Sequence, residues 1–224
     1  GYIDHIKKEY SQGIEAYTGT IVHDTLKVLY EENLNLSSLL DYYNILWQDY
    51  QNSEIKIVRK NKTPLYYKRL GETCLINYYK HYYQNDFDAL PIFLEKNFST
   101  IINNHLIKGR VDRISISDHS IHMCDYKSGK TPPPKIIEND FQLPLYAIMF
   151  RDKFGDFPIE TRLIYLRRYK MFRKYLTDQD YDYYKSIVSD HIEKIENTEE
   201  FEKRLSPLCH WCAYKNICNE EKGE

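Results

Sequence analysis

No run of apolar residues in this chain is long enough to span a bilayer, and no secretory signal pattern is present. There is no excess of positive charge either. The net charge is −2, so no global positive field marks a nucleic-acid binder, although a local basic patch would suffice. The five cysteines are odd in number and lack a secretory context, which argues against a disulfide framework. No internal repeat is apparent. These absences leave a globular protein in the cytoplasm, with no membrane partner. Its 224 residues are enough to bury a core as a single domain, residues 1–224. The chain opens on Gly1 instead of methionine, which reads as a piece of a longer protein.

What the sequence does hold is tyrosine, 22 in all, many in pairs such as Tyr66-Tyr67 and Tyr78-Tyr79. They could stack on bases, but packing between helices with the hydroxyl at the rim is the more ordinary use. Arg167-Arg168-Tyr169-Lys170 is a local cluster of cations, equally readable as a solvated strand edge or as a phosphate contact.

Periodicity divides the chain. A short helix is expected at Ile6–Tyr10, then a break at Gly13. Helical spacing from Ile21 to Tyr30 predicts a helix with Thr18 or Thr20 near its start. His23 on that helix is by default a surface or capping group, and alternatively a metal ligand facing a cleft. Residues 34–85 look helical almost throughout, and Cys74 there is most simply core. After Pro91 the pattern becomes alternating. Ile92–Phe98, His105–Ile116 and Ile121–Lys127 read as an antiparallel meander, turned at Asn103-Asn104 and at Asp118-His119-Ser120. A stiff connector, Thr131-Pro132-Pro133-Pro134, leads to a helix started by Asn139-Asp140 and running to Phe150, with Pro144 in its first turn. Strands at Glu160–Leu166 and Lys170–Tyr175 and a helix over Asp178–Ile195 follow.

The meander ends in Asp125-Tyr126-Lys127. Alternation places Asp125 and Lys127 on one face of the strand. Asp112 stands mid-strand among apolar residues, where a carboxylate is costly unless it is paired or bound to metal. Gln142 and Tyr146, four apart, share a helix face. Cys124 reads as core.

Five stretches occur in an order that resembles the PD-(D/E)xK nuclease superfamily, and within it the RecB-type nuclease domains of AddB, RecB and Cas4. They are Gly19-Thr20-Ile21-Val22-His23, Gly109-Arg110-Val111-Asp112-Arg113-Ile114, Asp125-Tyr126-Lys127-Ser128-Gly129-Lys130, Gln142-Leu143-Pro144-Leu145-Tyr146, and Cys209-His210-Trp211-Cys212 with Cys218. Together they span roughly residues 18–218. The resemblance implies an α/β fold with a restriction-endonuclease-like core. A central mixed β-sheet would be flanked by helices, with a helical N-terminal insertion and a Cys-rich C-terminal tail at residues 209–218.

It also implies a metal-dependent deoxyribonuclease of exonuclease type, hydrolysing phosphodiesters of single-stranded DNA or DNA ends in recombinational repair. Its partners would be DNA and a helicase subunit or domain. A Cas4-like role in CRISPR adaptation is the nearest alternative. A catalytically silent DNA-binding or scaffold domain is the alternative of a different class, and no motif position carries the inert residue that such a domain would show. By the same resemblance His23, Asp112, Asp125 and the backbone carbonyl of Tyr126 would hold Mg²⁺ or Mn²⁺, and Lys127 would position the attacking water. Gln142 and Tyr146 would position the lysine or the substrate. Glu95 is a second-tier candidate, or else an exposed strand acid. Cys209, Cys212 and Cys218 resemble three of the four ligands of a [4Fe–4S] cluster, whose fourth cysteine is not in this chain. A zinc site including His210 is the runner-up, and unmetallated cysteines the third reading.

Overall fold

The computed structural model describes residues 12–52, 55–84, 91–117, 120–200 and 204–212. The expected helix at Ile6–Tyr10, the turn residues Asp118 and His119, and Cys218 lie outside the described residues.

The first described element, β1 (Gln12–Gly13), pairs in parallel with a two-residue strand, β2 (Ile55–Lys56). Extended Gly13 caps α1 (Ile14–Glu31), so the helix starts earlier than Thr18 or Thr20. Those threonines lie within it. Their hydroxyls donate back to the carbonyls of Ile14 and Ala16, a bond that a helix interior tolerates. The start is set instead by Ile14 and Tyr17, which extend the buried stripe through Ile21, Val22, Leu26 and Leu29. Residues 34–85 are less uniformly helical than their composition suggests. They form α2 (Leu36–Gln48), capped by the Asn35 side chain on the Ser38 N–H, then a 3₁₀ turn, β2, and α3 (Pro64–Tyr78). Thr63 caps α3, and a π-helical turn, Tyr79–Tyr83, closes it.

The sheet begins with a long hairpin, β3 (Pro91–Ile102) and β4 (His105–Ser117). Asn103 and Asn104, both left-handed, make its tight turn. β5 (Ser120–Lys127) pairs antiparallel with β4. A short helix that periodicity does not announce, α4 (Pro134–Glu138), precedes α5 (Gln142–Phe154). Asp140 accepts the Gln142 N–H at 2.8 Å in an Asx turn just ahead of the helix, whose N-cap position, Phe141, makes no side-chain cap. β6 (Ile159–Tyr165) lies parallel to β5, the crossover that α5 provides, and β7 (Lys170–Tyr175) returns antiparallel. α6 (Asp178–Glu196) opens with a Thr177–Asp180 capping box. The five-stranded mixed sheet has the order β3-β4-β5-β6-β7.

Each face of the sheet has its own core. On one side α1, α2 and α3 pack Leu26, Leu29, Leu39 and Leu75 with Cys124 and Tyr126 of β5. On the other, α5 and α6 cover Val111, Met123 and Leu163. Each such side chain contributes about 1.5–3 kcal/mol when fully buried. Cys74 and Cys124 are both core. Many tyrosines follow the ordinary reading. Tyr17, Tyr43 and Tyr82 bury their rings, and their hydroxyls donate to backbone carbonyls. No helix among the described residues is long and apolar enough to cross a membrane.

Candidate active site

The site opens where two strands part. The β4–β5 ladder runs from Ser117–Ser120 as far as Arg113–Cys124. One residue further on, the Asp112 side chain replaces the backbone. Its Oδ2 accepts the Tyr126 N–H at 2.6 Å. The carbonyl of the same residue meets His23 Nε2 at 3.0 Å across from α1. Asp112 and His23 thus hold the Tyr126 residue from both its backbone groups. Its ring points the other way into the helical core, where its hydroxyl meets that of Tyr78 at 2.9 Å.

The other nitrogen of His23, Nδ1, lies 3.3 Å from Asp112 Oδ1 and 3.5 Å from Glu95 Oε1. Glu95 reaches this point through its backbone. It stands between the pairs Leu94–Arg113 and Lys96–Val111, hence across from Asp112, and adopts φ 47°, inside a strand. A non-glycine residue held there costs about 1–3 kcal/mol, and such strain concentrates at functional sites. Arg110 Nε braces the carboxylate at 2.8 Å. Burial alone would lower the His23 pKa, but the hydrogen bonds and charges of Asp112 and Glu95 outweigh it and lift it to about 10.

Asp125 and Lys127 project together, as strand alternation requires, with Oδ2 and Nζ 2.7 Å apart. Asp125 is almost fully buried. Desolvation first, and then the neighbouring Asp112 charge, push its pKa up to about 6 despite Lys127. Burial opposes the Lys127 ammonium, yet Asp125 more than compensates and its pKa is raised. Lys127 is therefore a held cation and no base near neutral pH. Its Nζ donates to Gln142 Oε1 at 2.7 Å, and Gln142 Nε2 donates to the Tyr146 hydroxyl at 2.7 Å. The amide is fixed from both sides and links the strand to α5.

The structure brings His23, Glu95 and Asp112 into one cluster, their donor atoms within 4.8 Å of one another. Asp125 stands beside this triad, tied to Lys127. Two carboxylates and one imidazole, with the Tyr126 carbonyl at the imidazole, fit a hard divalent cation such as Mg²⁺ or Mn²⁺. The cysteine tail gives less. Cys209 and Cys212 are two thiols of the four an iron–sulfur cluster needs, and Cys209 Sγ accepts the Ser206 N–H at 3.3 Å. Trp211, beside His210, donates its indole N–H to Glu15 at 3.4 Å and so docks the tail on α1.

Two contributions escape sequence reasoning. Arg110 appears in the sequence only as a motif neighbour of Asp112, yet it braces Glu95. Gly109 appears only as a motif glycine, yet it makes room for Tyr146.

A family model described as the PD-(D/E)XK nuclease superfamily matches residues 1–219. No curated protein matches the chain in sequence. Among solved structures, one named "Putative exonuclease" from Eubacterium rectale is 12% identical, with a TM-score of 0.50, covering 92% of this chain and 81% of its own. A second, SSO0001, is 14% identical over 98% of this chain and 90% of its own. Its TM-score is 0.39. The five-stranded mixed sheet between two helical layers is the restriction-endonuclease-like arrangement, and with the family match spanning nearly its whole length the chain belongs to the PD-(D/E)XK nuclease superfamily.

Proposed function

We propose that the protein is a divalent-metal-dependent DNA nuclease that hydrolyses phosphodiester bonds, acting as an exonuclease on single strands or DNA ends during recombinational repair beside a helicase. The observation that carries this reading is the His23–Glu95–Asp112 cluster lying next to the Asp125–Lys127–Gln142–Tyr146 chain. A Mg²⁺ or Mn²⁺ ion held by His23, Glu95, Asp112 and Asp125 would supply Lewis acidity toward a phosphoryl oxygen. The Lys127 ammonium orients a water and faces the negative charge that builds on the phosphate. Gln142 fixes the direction of that ammonium, and Asp125 keeps it protonated. Accepting from Gln142 leaves the Tyr146 O–H free to donate toward the substrate. Glu95 is held by its strained backbone and Arg110, and Asp112 by the Tyr126 amide, so the fold itself supports their placement.

The test is cleavage of linear single- and double-stranded DNA with Mg²⁺ or Mn²⁺, comparing the wild type with Asp125→Ala and Lys127→Ala. Cleavage by both variants at the wild-type rate would refute the site. Time courses on end-labelled and circular substrates separate exonuclease from endonuclease action. For the tail we favour a [4Fe–4S] cluster on Cys209, Cys212, Cys218 and a cysteine outside this chain. A visible absorption spectrum of freshly purified protein decides it, since zinc or bare thiols are colourless.

A further inference from the structure

Three depressions on the α1–α3 face of the molecule share walls. One lies between α3 and the turn joining β6 to β7, bordered by Arg69, Arg167 and Arg168. The next lies between α1, α3 and the Ser128–Lys130 loop, with Arg59 and Lys130 at its rim. The third is lined by Lys130, Arg167, Arg168 and Lys170. Arg167 borders all three, so they form one continuous groove that starts immediately after Lys127 in the chain. The carboxylate lining it is Glu15, which accepts from the Tyr67 hydroxyl and faces Arg59. Among the described residues, no carboxylate lies within ion-pair distance of the other five cations. In a chain of net charge −2, this is a local concentration of positive charge that an extended anion would relieve.

The cations stand on a built frame. Asn77 Nδ2 donates to the carbonyls of Leu166 and Arg167, both at 3.1 Å. The Tyr82 hydroxyl donates to the Tyr169 carbonyl at 2.7 Å, and Tyr169 is left-handed at φ 41°. These bonds hold backbone and leave the charged heads available. Arg167 spends an N–H on the Tyr66 hydroxyl at 3.3 Å. Half-buried Tyr66, with Lys62 over its ring at 3.9 Å, and Leu70 give the groove an apolar floor between the cations. Cationic surface beside an exposed ring edge suits the phosphates and unpaired bases of a single strand, whereas a duplex keeps its base faces stacked inside.

We infer that this groove is a track for single-stranded nucleic acid running to or from the scissile phosphate, with phosphates on Arg69, Arg168 and Lys170 and a base against Tyr66. The inference rests on the nuclease reading of the site but is tested without cleavage. Binding of a fluorescein-labelled oligothymidylate is followed by anisotropy in the presence of a chelator, over a series of salt concentrations. Arg168→Glu should weaken binding roughly tenfold and flatten the log K against log [salt] slope by about 0.7 for each phosphate no longer neutralised. Arg168→Ala, which adds no charge, should flatten it likewise, and circular dichroism confirms that both variants are folded. Lys194→Glu, the same charge change on exposed α6, should alter neither quantity. Wild-type binding by Arg168→Glu, or an equal loss in Lys194→Glu, would overturn the track. An equal loss for a labelled duplex would overturn the assignment to single strands. A failure of the nuclease reading shows elsewhere, as wild-type protein that binds but never cleaves with Mg²⁺ or Mn²⁺.

Discussion

The ring of Tyr146 lies over the α-carbon of Gly109, so that a Cβ at Gly109 would stand 2.3 Å from Cε1 and 2.7 Å from Cδ1. A ring packed in the core has little room to retreat. Gly109→Ala should therefore cost about 1–3 kcal/mol of stability through overpacking. It should also displace Tyr146 and loosen the Gln142 amide that aims Lys127. Thermal melting and turnover measured together check this. A Gly109→Ala protein with wild-type turnover would show that the Tyr146–Gln142–Lys127 chain does not set the rate.

Along that chain the effects should be graded. Lys127→Ala removes the cation itself and should lower turnover by about 10²–10⁴-fold, the range for a group acting on charge in the transition state. Gln142→Ala leaves the ammonium paired with Asp125 and should lower turnover by about tenfold, through weakened orientation. Single-turnover rates at saturating metal give the comparison, and equal losses would mean that Gln142 does more than orient.

Loading the metal should release a proton. In the metal-free site His23 is protonated below about pH 10, and Asp125 is ionised above about pH 6. A cation binds neutral imidazole and ionised carboxylate. Between those limits one proton, that of His23, must leave, so apparent affinity should climb by about one decade per pH unit. Titration calorimetry in two buffers of different ionisation enthalpy counts the proton, and a count of zero contradicts the picture. The sign for metal-free stability follows. The raised His23 value stabilises the fold fully below its ordinary 6.5, and this is lost as pH rises toward about 10. The raised Asp125 value adds a penalty that grows from its ordinary 3.8 to about 6. The metal-free protein should melt lower as pH rises across both windows.

Tyr126 serves the site through its backbone, so Tyr126→Phe should keep turnover within about twofold. Losing its hydroxyl removes the buried bond to Tyr78, at about 1 kcal/mol. A melting curve and a rate on one preparation suffice. A large fall in turnover with little change in melting would reverse the assignment.

The sheet was legible because its signals are local. Alternation marks β3 to β5, Asn103-Asn104 marks a tight turn, and Asp140 announces α5. The early start of α1 was hidden, since Ile14 and Tyr17 become core only once α2 and α3 pack on them. β2 was hidden because two residues carry no period, and its strand character comes from pairing with β1. In the site, Asp125, Lys127, Gln142 and Tyr146 were readable from strand alternation and helix spacing. Glu95 was ambiguous, because a left-handed backbone directs it and no side-chain pattern announces such a bend. Gly109 was beyond reach, and of the groove only the Arg167–Lys170 cluster was legible, as one of two readings of those cations. Gly109 depends on the girth of a ring 37 positions away, and the groove as a whole on surfaces from residues 15 to 170 meeting in space.

The hydrogen bond from the Tyr126 amide to Asp112 makes one proton a spectator of the whole centre. Elsewhere in β5 an amide reports on its neighbouring strand. This one reports on a carboxylate that also faces His23 and Glu95. In an ¹⁵N-labelled sample its resonance should sit far downfield, as so short a bond to a carboxylate oxygen demands. It should move when the carboxylate is drawn toward a cation. A single cross-peak would then follow ligand entry in the intact protein, with neither substrate nor turnover required.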